Sequence, residues 1–252
     1  MLFRSVSQSR YSGGYGKKGR SYHLQKTKLA SQAGIQLMHI FEDEWQYNRQ
    51  LVLNRIYAKL GVTDNHRISA RQCQVVPITR SDGRLFLQQN HLQSADRSQI
   101  YYGLLYKQQL VAVMSFNSLR RSLGHRGDKQ SVWELVRYAT NRQVVGGASK
   151  LLAAFAKQHH PKTIISYADR RYTNQNHNLY QACQFELIAT TAPSYWYTKD
   201  YKHRLHRYGF TKSRLVSKFG ANANLTEWEN MQLLGYDRVW DCGSFKYQKT
   251  YL

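Results

Sequence analysis

The chain has 252 residues and a formal net charge of +22 at pH 7, from 37 Lys and Arg against 15 Asp and Glu. Hydrophobic residues make up 42% of the chain, enough for a core, which argues against wholesale disorder. No apolar run approaches the ~20 residues of a membrane-spanning helix, and residues 1–10 lack the apolar centre of a secretory signal. The cysteines are far apart and form no CxxC pair, so we expect a reducing, cytoplasmic compartment for Cys73, Cys183 and Cys242.

Positive charge is spread along the whole chain. Residues 1–68 carry a net charge of +7, residues 69–197 carry +10, and residues 198–252 carry +5. Together with 19 tyrosines, this charge predicts a polyanion partner, most often nucleic acid. The alternative is a globular domain with a basic surface.

Hydrophobic periodicity and turn residues predict a mixed α/β chain. Helices are predicted at about residues 22–33, 45–60, 83–90, 146–159, 176–183 and 225–234. Strands are predicted at residues 35–41, 71–78, 101–106, 110–116, 132–139, 163–168, 185–189, 195–197, and at 236–240 or 245–247. The basic stretches 11–20, 117–130 and 199–218 are predicted to be a flexible arm, a loop and a basic run.

A glycine-rich turn, Gln143-Val144-Val145-Gly146-Gly147-Ala148, follows a predicted strand and opens the next helix. Unpaired N–H groups at a helix start favour a phosphate. The form Q-x-x-G-x-A, with the element order over 71–197, resembles the pyrophosphate-binding turn of GNAT acyltransferases. This resemblance implies that acetyl-CoA binds at Gln143, Val145, Gly146, Gly147, Ala148 and Lys150. An ordinary glycine helix start is the alternative.

Further polar side chains in this region are candidates for chemistry. Asp169 ends a predicted strand, where functional side chains gather in open α/β sheets. Tyr180 lies on the next helix, where several GNAT enzymes carry the tyrosine that protonates the leaving thiolate. Strict alternation places Glu134 and Arg137 on opposite faces of their strand, and Arg137 suits an anion or a carboxylate partner. The structural alternatives are a turn cap, core packing and an ion pair, respectively.

An acidic cluster, Glu42-Asp43-Glu44, follows the predicted strand 35–41. Many nucleases hold Mg²⁺ with carboxylates at the end of a buried strand. A metal nuclease also needs a carboxylate from another strand, and residues 1–41 contain no Asp or Glu. The alternative is that these acids stabilise a helix N-terminus through its dipole.

Several sequence blocks, in order, resemble the phage Hef-like homing endonucleases. They are YHLQKTKLASQAGIQLMHIFEDEW (22–45), NHLQ (90–93), YYGLLYKQQLVAVMSF (101–116), WELVRYAT (133–140), VVGGASKLL (144–152), ISYADRRYTNQN (165–176), RLHRYGFTKSRL (204–215) and GYDRVWDCGSFKY (235–247). Family members look like a Vsr-like, PD-(D/E)xK-type nuclease joined to a GNAT-fold region similar to the Mom-type phage proteins, which modify adenine in DNA. The resemblance implies a Mom-like site at Arg137, Ser149, Asp169 and Tyr180, and nuclease acids that bind metal at Glu42 and Glu44.

The resemblance also implies the domain organisation. We expect a truncated Vsr-like nuclease segment at 1–68, a GNAT-like, Mom-like domain at 69–197, and a basic C-terminal extension packing on it at 198–252. The expected fold is α/β (α+β), with a GNAT-like mixed sheet flanked by helices and an N-terminal, partial restriction-endonuclease-like helix–strand–helix unit. The family's first acidic strand and Trp-His segment have no match before residue 22, so we expect an incomplete nuclease or one piece of a split reading frame.

Three functions fit these observations. The first is a phage-type, Hef-like homing endonuclease acting on DNA with Mg²⁺, its nuclease half incomplete. The second is a GNAT-fold, acyl-CoA-dependent transferase that modifies DNA, and the third is a non-catalytic DNA-binding protein. All three predict DNA contacts from basic side chains, which are Lys17, Lys18, Arg120, Arg121, Arg126, Arg170, Arg171, Lys202, Arg204, Arg207, Lys212 and Arg214.

Overall fold

The computed structural model of the protein describes residues 2–5, 19–62, 67–118 and 132–251. Within these ranges its α-helices are α1 (Tyr22–Gln32), α2 (Glu42–Tyr47), α3 (Arg49–Leu60), α4 (Arg80–Asn90), α5 (Gly147–His159), α6 (Leu179–Ala182), α7 (Lys212–Phe219) and α8 (Glu227–Leu233). The strands are β1 (Leu2–Ser5), β2 (Leu37–Ile40), β3 (Ile68–Ser69), β4 (Gln74–Pro77), β5 (Ile100–Tyr106), β6 (Gln109–Ser118), β7 (Val132–Thr140), β8 (Val144–Val145), β9 (Thr163–Asp169), β10 (Glu186–Thr190), β11 (Tyr195–Thr198), β12 (Leu205–His206), β13 (Asp237–Trp240) and β14 (Ser244–Thr250).

The chain folds as two compact units, each assembled from separate stretches. The first consists of Met1–Arg49, Asp169–Asn174 and Thr190–Ser244, and we call it the ion-cluster unit after its buried ion pairs around Glu44. The large-sheet unit consists of Gln50–Ala168, Gln175–Ala189 and Phe245–Leu252. The linear division of the chain at residues 68 and 197 stays a prediction.

The large-sheet unit is built on a seven-stranded mixed sheet with the order β10-β14-β9-β7-β6-β5-β4. Strands β4 to β7 are antiparallel neighbours, whereas β7 and β9 run parallel. Helix α4 packs on one face, against Tyr101, Val113 and Ala139. The apolar residues of α5, among them Leu151 and Phe155, fill the core on the other face. A mixed α/β sheet flanked by helices confirms the predicted fold class.

A β-bulge interrupts the pairing of β6 with β7. Phe116 lies opposite Leu135 and Ser115 lies opposite Arg137, so Val136 is an extra residue without a partner on β6. Because a bulge shifts the side-chain alternation by one residue, Glu134 and Arg137 lie on the same face of the sheet. The prediction that they occupy opposite faces is therefore wrong. On β6, Ser115 lies opposite Arg137 and Asn117 lies opposite Glu134, and both share a face with Val113, against which α4 packs. Glu134 and Arg137 therefore lie on the face that α4 covers.

The pairing of β7 with β9 ends at this bulge. Their parallel register runs from Val132 opposite Thr163 to Leu135 opposite Ser166. Beyond that pair, β7 continues to Thr140 and β9 to Asp169 without further registered partners between them. Residues 136–140 of β7 therefore have no registered strand partner on the β9 side within the described part of the chain, and we call this stretch the open edge of β7.

The ion-cluster unit contains a three-stranded antiparallel sheet, β12-β11-β13, and the parallel pair β1-β2. Helices α7 and α8 pack on the three-stranded sheet, with Leu215, Met231 and Tyr197 buried between them. Thr226 caps α8 and Glu229 returns the bond, which confirms the predicted capping box. Helix α7 was not predicted, because the sequence 212–219 reads as part of a basic run.

The N-terminal helix–strand–helix order is present as α1, β2 and α2. The helix expected over 45–60 is in fact two helices that break at Asn48, and the first begins at Glu42. All three acids of the cluster occupy the first turn of α2, as the helix-dipole alternative expects. The last two strand candidates are both strands, β13 and β14.

No helix among the described residues is long and apolar enough to cross a membrane. Cys73, Cys183 and Cys242 are buried free thiols. Burial raises the pKa of Cys242 to about 11, so its sulfur is a neutral thiol at pH 7.

Replacing Gly83 in α4 with alanine tests the contact between α4 and the sheet. A Cβ at Gly83 would lie 2.7 Å from Cγ of Tyr101, a buried ring whose hydroxyl is fixed by Asp96. Overpacking of ~1–3 kcal/mol outweighs the helix-propensity gain of up to ~1 kcal/mol, so we expect Gly83→Ala to lower the free energy of unfolding by about 1–2 kcal/mol. Urea denaturation measures this value. Gly209→Ala, with nothing within 4 Å of the new Cβ, is the control and should change it by less than ~0.5 kcal/mol.

Candidate functional site

The predicted glycine turn is the start of α5. Gly146 is the N-cap residue, with a left-handed φ of 75°, and no side chain caps the helix. The first-turn N–H groups of a helix have no intrahelical acceptor, and the helix dipole makes this end positive. The start of α5 is therefore a suitable site for an anion.

The remaining residues of the turn fix its position. A Cβ at Gly147 would lie 2.8 Å from Oη of Tyr138, so glycine fits here against the end of the Tyr138 side chain. The ammonium of Lys150 donates to the carbonyls of Ala70 and Cys73, at 2.9 and 2.6 Å. Lys150 thus ties α5 to the backbone before β4, which is a structural role beside the one the sequence suggested.

The other predicted cofactor positions differ in exposure. The Gln143 carbonyl accepts the amide of Ile68, which joins β8 to β3. Val145 is half exposed, whereas Ala148 is buried in the core. Among these residues, Gln143, Val145 and Gly146 are exposed and form the part of the turn that is open to a ligand.

Tyr180 lies where β7 and β9 separate. The Ser166 hydroxyl donates to the Leu135 carbonyl at 2.8 Å, and its oxygen lies 3.3 Å from Oη of Tyr180. The Tyr180 ring stacks on Tyr247 with a centroid distance of 4.7 Å. Burial raises the pKa of Tyr180, and its contact with the Ser166 hydroxyl and the charges of Arg55 and Arg137 oppose the rise. The phenol therefore keeps its proton at neutral pH.

Ser149, the third residue of α5, has a different neighbour. Its hydroxyl lies 3.5 Å from Sγ of Cys183, just after α6. The described contacts of Asp169 are in the ion-cluster unit, whereas Arg137, Ser149 and Tyr180 belong to the large-sheet unit. The four positions implied by the Mom-like resemblance therefore fall into two sets.

Sequence reasoning missed a buried carboxylate on the α4 face. Asp96 accepts hydrogen bonds from Oη of Tyr101 at 2.5 Å, from Oγ of Ser98 at 2.8 Å, and from Oγ of Ser115. Its negative charge acts on both Glu134 and Arg137. No sequence pattern marks Asp96, because it lies in an irregular segment between α4 and β5 and its partners come from two strands.

Glu134 lies in a partly buried, charged environment. Burial raises the pKa of the Glu134 carboxyl, Arg137 opposes the rise, and Asp96 adds to it. Burial lowers the pKa of Arg137, and the charges of Asp96 and Glu134 oppose that change. A carboxyl with a raised pKa and a cation thus share one face next to the separated strands.

Glu44 is the centre of a buried ion cluster in the other unit. One carboxylate oxygen accepts from the guanidinium groups of Arg171 and Arg204, both at 2.9 Å. The second oxygen accepts from Oη of Tyr172 at 2.6 Å and from the Phe41 amide at 3.0 Å. Burial would raise the pKa of Glu44, but the two arginines and these hydrogen bonds outweigh it and lower the pKa to about 2.

Further ion pairs surround Glu44. Asp43 accepts from Nε of Arg204 at 2.8 and 2.9 Å, and Asp169 binds Arg171 through both of its oxygens. The two guanidinium groups also lie over the Phe41 ring, at 4.6 and 3.9 Å. Such dense pairing gives Asp169 a structural role, as its turn-cap alternative also did.

These contacts leave the predicted magnesium site without its ligands. Each oxygen of Glu44 already accepts two hydrogen bonds, which uses its lone pairs. In the part of the chain that the structure describes, no three His, Cys, Asp or Glu side chains are arranged to hold a metal ion. The assignment of Mg²⁺ to Glu42 and Glu44 does not fit this geometry.

The basic residues predicted to contact DNA have unequal access to solvent. Arg171 is 1% exposed and Arg204 is mostly buried in the ion cluster, so neither fits a phosphate contact. Arg170 and Arg207 are half-buried, whereas Lys202, Lys212 and Arg214 are exposed. The others lie outside the described residues, and these are Lys17, Lys18, Arg120, Arg121 and Arg126.

No protein-family model and no curated protein matches the chain. Among solved structures, it resembles a Bacillus subtilis acetyltransferase in complex with CoA, at 15% identity, TM-score 0.37, covering 71% of this chain and 99% of that one. It also resembles a GNAT family acetyltransferase from Elizabethkingia anophelis with acetyl-CoA bound, at 12% identity, TM-score 0.37, covering 71% and 99%. Ard1 from Thermoplasma volcanium matches at 10% identity, TM-score 0.34, covering 47% and 86%. At these scores the likeness carries no conclusion about what this chain does.

Replacing Glu44 with glutamine tests the ion cluster. Removing the charge leaves two buried arginines underpaired, so we expect Glu44→Gln to lower the free energy of unfolding by about 3–5 kcal/mol at pH 7. The folded-state pKa of Glu44, about 2, lies below its ordinary 4.5. The contribution of the ionised Glu44 to the free energy of unfolding is therefore complete above about pH 4.5 and declines as the pH falls toward 2.

Chemical denaturation at pH 7 and pH 3 measures both effects. The difference in the free energy of unfolding between wild type and Glu44→Gln should be smaller at pH 3 than at pH 7. Glu42→Gln, in the same helical turn, is the control and should change stability by less than ~0.5 kcal/mol. An equal difference at the two pH values would show that Glu44 is not held ionised by the arginines.

Proposed function

We propose that this protein is an acyltransferase of the GNAT type that uses an acyl-CoA donor. One observation carries the proposal: among the described residues, the pairing of β7 with β9 ends at Leu135, next to the bulge at Val136, and the uncapped start of α5 contacts the side chain of Tyr138 in the unpaired stretch of β7. That contact joins Gly147 to the end of the Tyr138 side chain, because a Cβ at Gly147 would lie 2.8 Å from Oη. The sequence resemblance of the turn 143–148 to GNAT enzymes supports the same function.

Two features suit the two chemical parts of coenzyme A. The open edge of β7 offers main-chain donors and acceptors, which an extended, amide-containing arm can pair with as an added strand. The positive start of α5 suits a pyrophosphate, and Gly146 keeps side-chain atoms out of its way. Bound there, an acyl-CoA supplies an acyl group activated as a thioester.

Two side chains at the strand separation suit proton transfer. Tyr180 holds a proton at Oη because its pKa is raised, so it fits the acid that protonates a leaving thiolate. The raised pKa of Glu134 makes it a better base than an ordinary carboxylate once it is ionised. Since Glu134 must lose its proton to act as a base, activity should rise with pH on the acid side of the profile.

The homing-endonuclease hypothesis lacks comparable support. Glu44 is fully occupied by hydrogen-bond donors, and its partner Asp43 is bound to Arg204. Of the two carboxylates expected to hold Mg²⁺, Glu44 thus serves the ion cluster, and the described residues form no group of three that could hold a metal ion. The Hef-like resemblance supports the proposal through its GNAT-fold, Mom-like part.

Substitutions at Gly146 test the phosphate site. Aspartate and asparagine both tolerate a left-handed φ, but only aspartate adds a negative charge at the start of α5. We expect Gly146→Asp to weaken acetyl-CoA binding at least tenfold and Gly146→Asn to bind several-fold more tightly than the aspartate variant. Isothermal titration calorimetry measures both affinities, with matched melting temperatures as the folding control. Failure of the wild type to bind acetyl-CoA, or equal binding by the two variants, would contradict the proposal.

DNA is the acceptor or partner that a second observation favours. Near α7, the Arg207 guanidinium lies over the Tyr208 ring at 5.1 Å, and Arg214 donates to the Tyr208 carbonyl at 2.7 Å. Tyr208 is 61% exposed, and Lys212 of α7 is also exposed. We call Arg207, Tyr208, Lys212 and Arg214 the basic face. An exposed tyrosine in contact with two arginines, with a further exposed cation at Lys212, suits base stacking and phosphate contact.

The salt dependence of DNA binding tests the basic face. Each lost phosphate contact reduces the slope of log affinity against log salt by ~0.9. We therefore expect the double variant Lys212→Gln/Arg214→Gln to bind duplex DNA more weakly, with a slope shallower by about 1.8. Fluorescence anisotropy over a salt series measures the slopes. Lys157→Gln/Lys162→Gln, two exposed lysines of the large-sheet unit, is the control, and an equal loss in both variants would contradict a specific face.

A further inference from the structure

Arg137 carries hydrogen-bond donors that the protein does not use. Among the described residues its guanidinium makes one hydrogen bond, from Nη1 to the Val136 carbonyl at 2.9 Å. Its Nε is buried and has no hydrogen-bond partner. Buried donors are almost always paired, and an unpaired one calls for a ligand, an ion or water.

The unused part of the guanidinium is the edge that binds oxyanions. Arg171 of the same chain shows the geometry, because its Nε and Nη2 donate to one oxygen of Asp169 at 3.0 and 2.7 Å. The Nε and Nη2 groups of arginine point in parallel and match the two oxygens of a carboxylate or a phosphate. In Arg137, the Nε and Nη2 groups of this two-pronged edge donate to no acceptor among the described residues.

The buried carboxylate whose charge acts most on Arg137 is not free to close that edge. Asp96 is 9% exposed, and both its oxygens accept hydrogen bonds from Tyr101, Ser98 and Ser115. Its charge nevertheless acts on Arg137 and favours the charged guanidinium. Asp96 therefore balances Arg137 from a fixed position and leaves its donors available.

The surroundings of Arg137 are basic on another side. The charges of Arg137 and Arg55 act on both His91 and Tyr180. Burial, together with those two charges, lowers the pKa of His91 well below its usual range, so its imidazole is neutral at pH 7. The imidazole, whose Nδ1 accepts the Gln93 amide at 3.1 Å, therefore adds no positive charge that would oppose Arg137.

We propose that Arg137 binds an oxyanion of the acceptor substrate, a carboxylate or a phosphate group, through Nε and Nη2. The site lies on the same face as Glu134, so an anion held there places the rest of the acceptor next to the proposed base. The inference rests on the proposed function in assigning the anion to the acceptor. The anion site itself is independent of acyl-CoA.

Nitrogen NMR of the arginine side chains in the full-length protein tests the site without a variant. Phosphate and acetate are titrated separately, with sodium chloride at equal ionic strength as the control. We expect the Nε–H resonance of Arg137 to shift and saturate, and that of Arg171, already bound to Asp169, to stay in place. Saturation by phosphate alone assigns a phosphate group to the acceptor, and saturation by acetate assigns a carboxylate. No saturable shift with either anion, or the same shift in chloride, would overturn the proposal.

A pair of conservative variants identifies the residue. Arg137→Lys keeps the charge and loses the two-pronged edge, so we expect the backbone amides around Glu134 to report at least tenfold weaker anion binding. Arg142→Lys, at an exposed position just after β7, should bind as the wild type does. Equal binding by Arg137→Lys and wild type would overturn the assignment.

Acetyl-CoA titrations of the same proteins separate the two proposals. Arg137→Lys should retain acetyl-CoA binding, because the contacts proposed for the acyl-CoA arm on β7 are made by main-chain groups, which this variant keeps. Loss of anion binding with acetyl-CoA binding intact supports the anion site. A wild type that binds the anion but no acetyl-CoA refutes the acyltransferase function and leaves the anion site standing.

Discussion

One extra residue in β7 governs the geometry of the large-sheet unit. The bulge at Val136 shifts the side-chain alternation, so Glu134 and Arg137 come to the same face. At the same point the parallel register with β9 ends, which leaves the second half of β7 with an open edge. A carboxyl, a guanidinium, the Tyr180 phenol and free backbone groups therefore gather around one irregularity. An unbroken strand would have separated the two charged side chains and closed the edge.

Charge is arranged differently in the two units. In the ion-cluster unit, three of the chain's 15 acids meet two arginines in a cluster whose hydrogen bonds are nearly all within the protein. In the large-sheet unit, Asp96 is saturated by hydroxyl and amide donors, and Arg137 keeps an open edge. Among the described residues, the ion cluster leaves only Nη1 of Arg204 without a partner, whereas Arg137 leaves Nε unpaired, which is part of its two-pronged edge. The cluster holds three acids and two arginines, a net charge of −1, so the rest of the chain keeps the whole excess of basic side chains.

Local signals in the sequence predicted most of the fold. Strand lengths, the hairpin between β5 and β6, the glycine start of α5 and the capping box of α8 depend on residues a few positions apart, and all are present. Helix α7 was missed because one buried leucine among basic residues gives a weak periodic signal. The break at Asn48 has no glycine or proline to mark it.

The site was predicted less completely, because its contacts join distant residues. Glu44 looks like a metal ligand in the sequence, yet its partners Arg171 and Arg204 lie 127 and 160 residues away. Glu134 and Arg137 were placed on opposite faces because a bulge leaves no mark in a strand pattern. Tyr180 and the glycine turn were found through the resemblance to GNAT enzymes, and Asp96 carried no signal at all.

Amide hydrogen exchange along β7, with and without acetyl-CoA, tests the central claim most directly. In the free protein, the amides of residues 136–140 that point toward β9 should exchange faster than those of residues 132–135, which are paired. Saturating acetyl-CoA should slow the exposed set at least tenfold and leave the paired set unchanged. Equal exchange rates along the free strand, or no slowing when acetyl-CoA is added, would contradict the account.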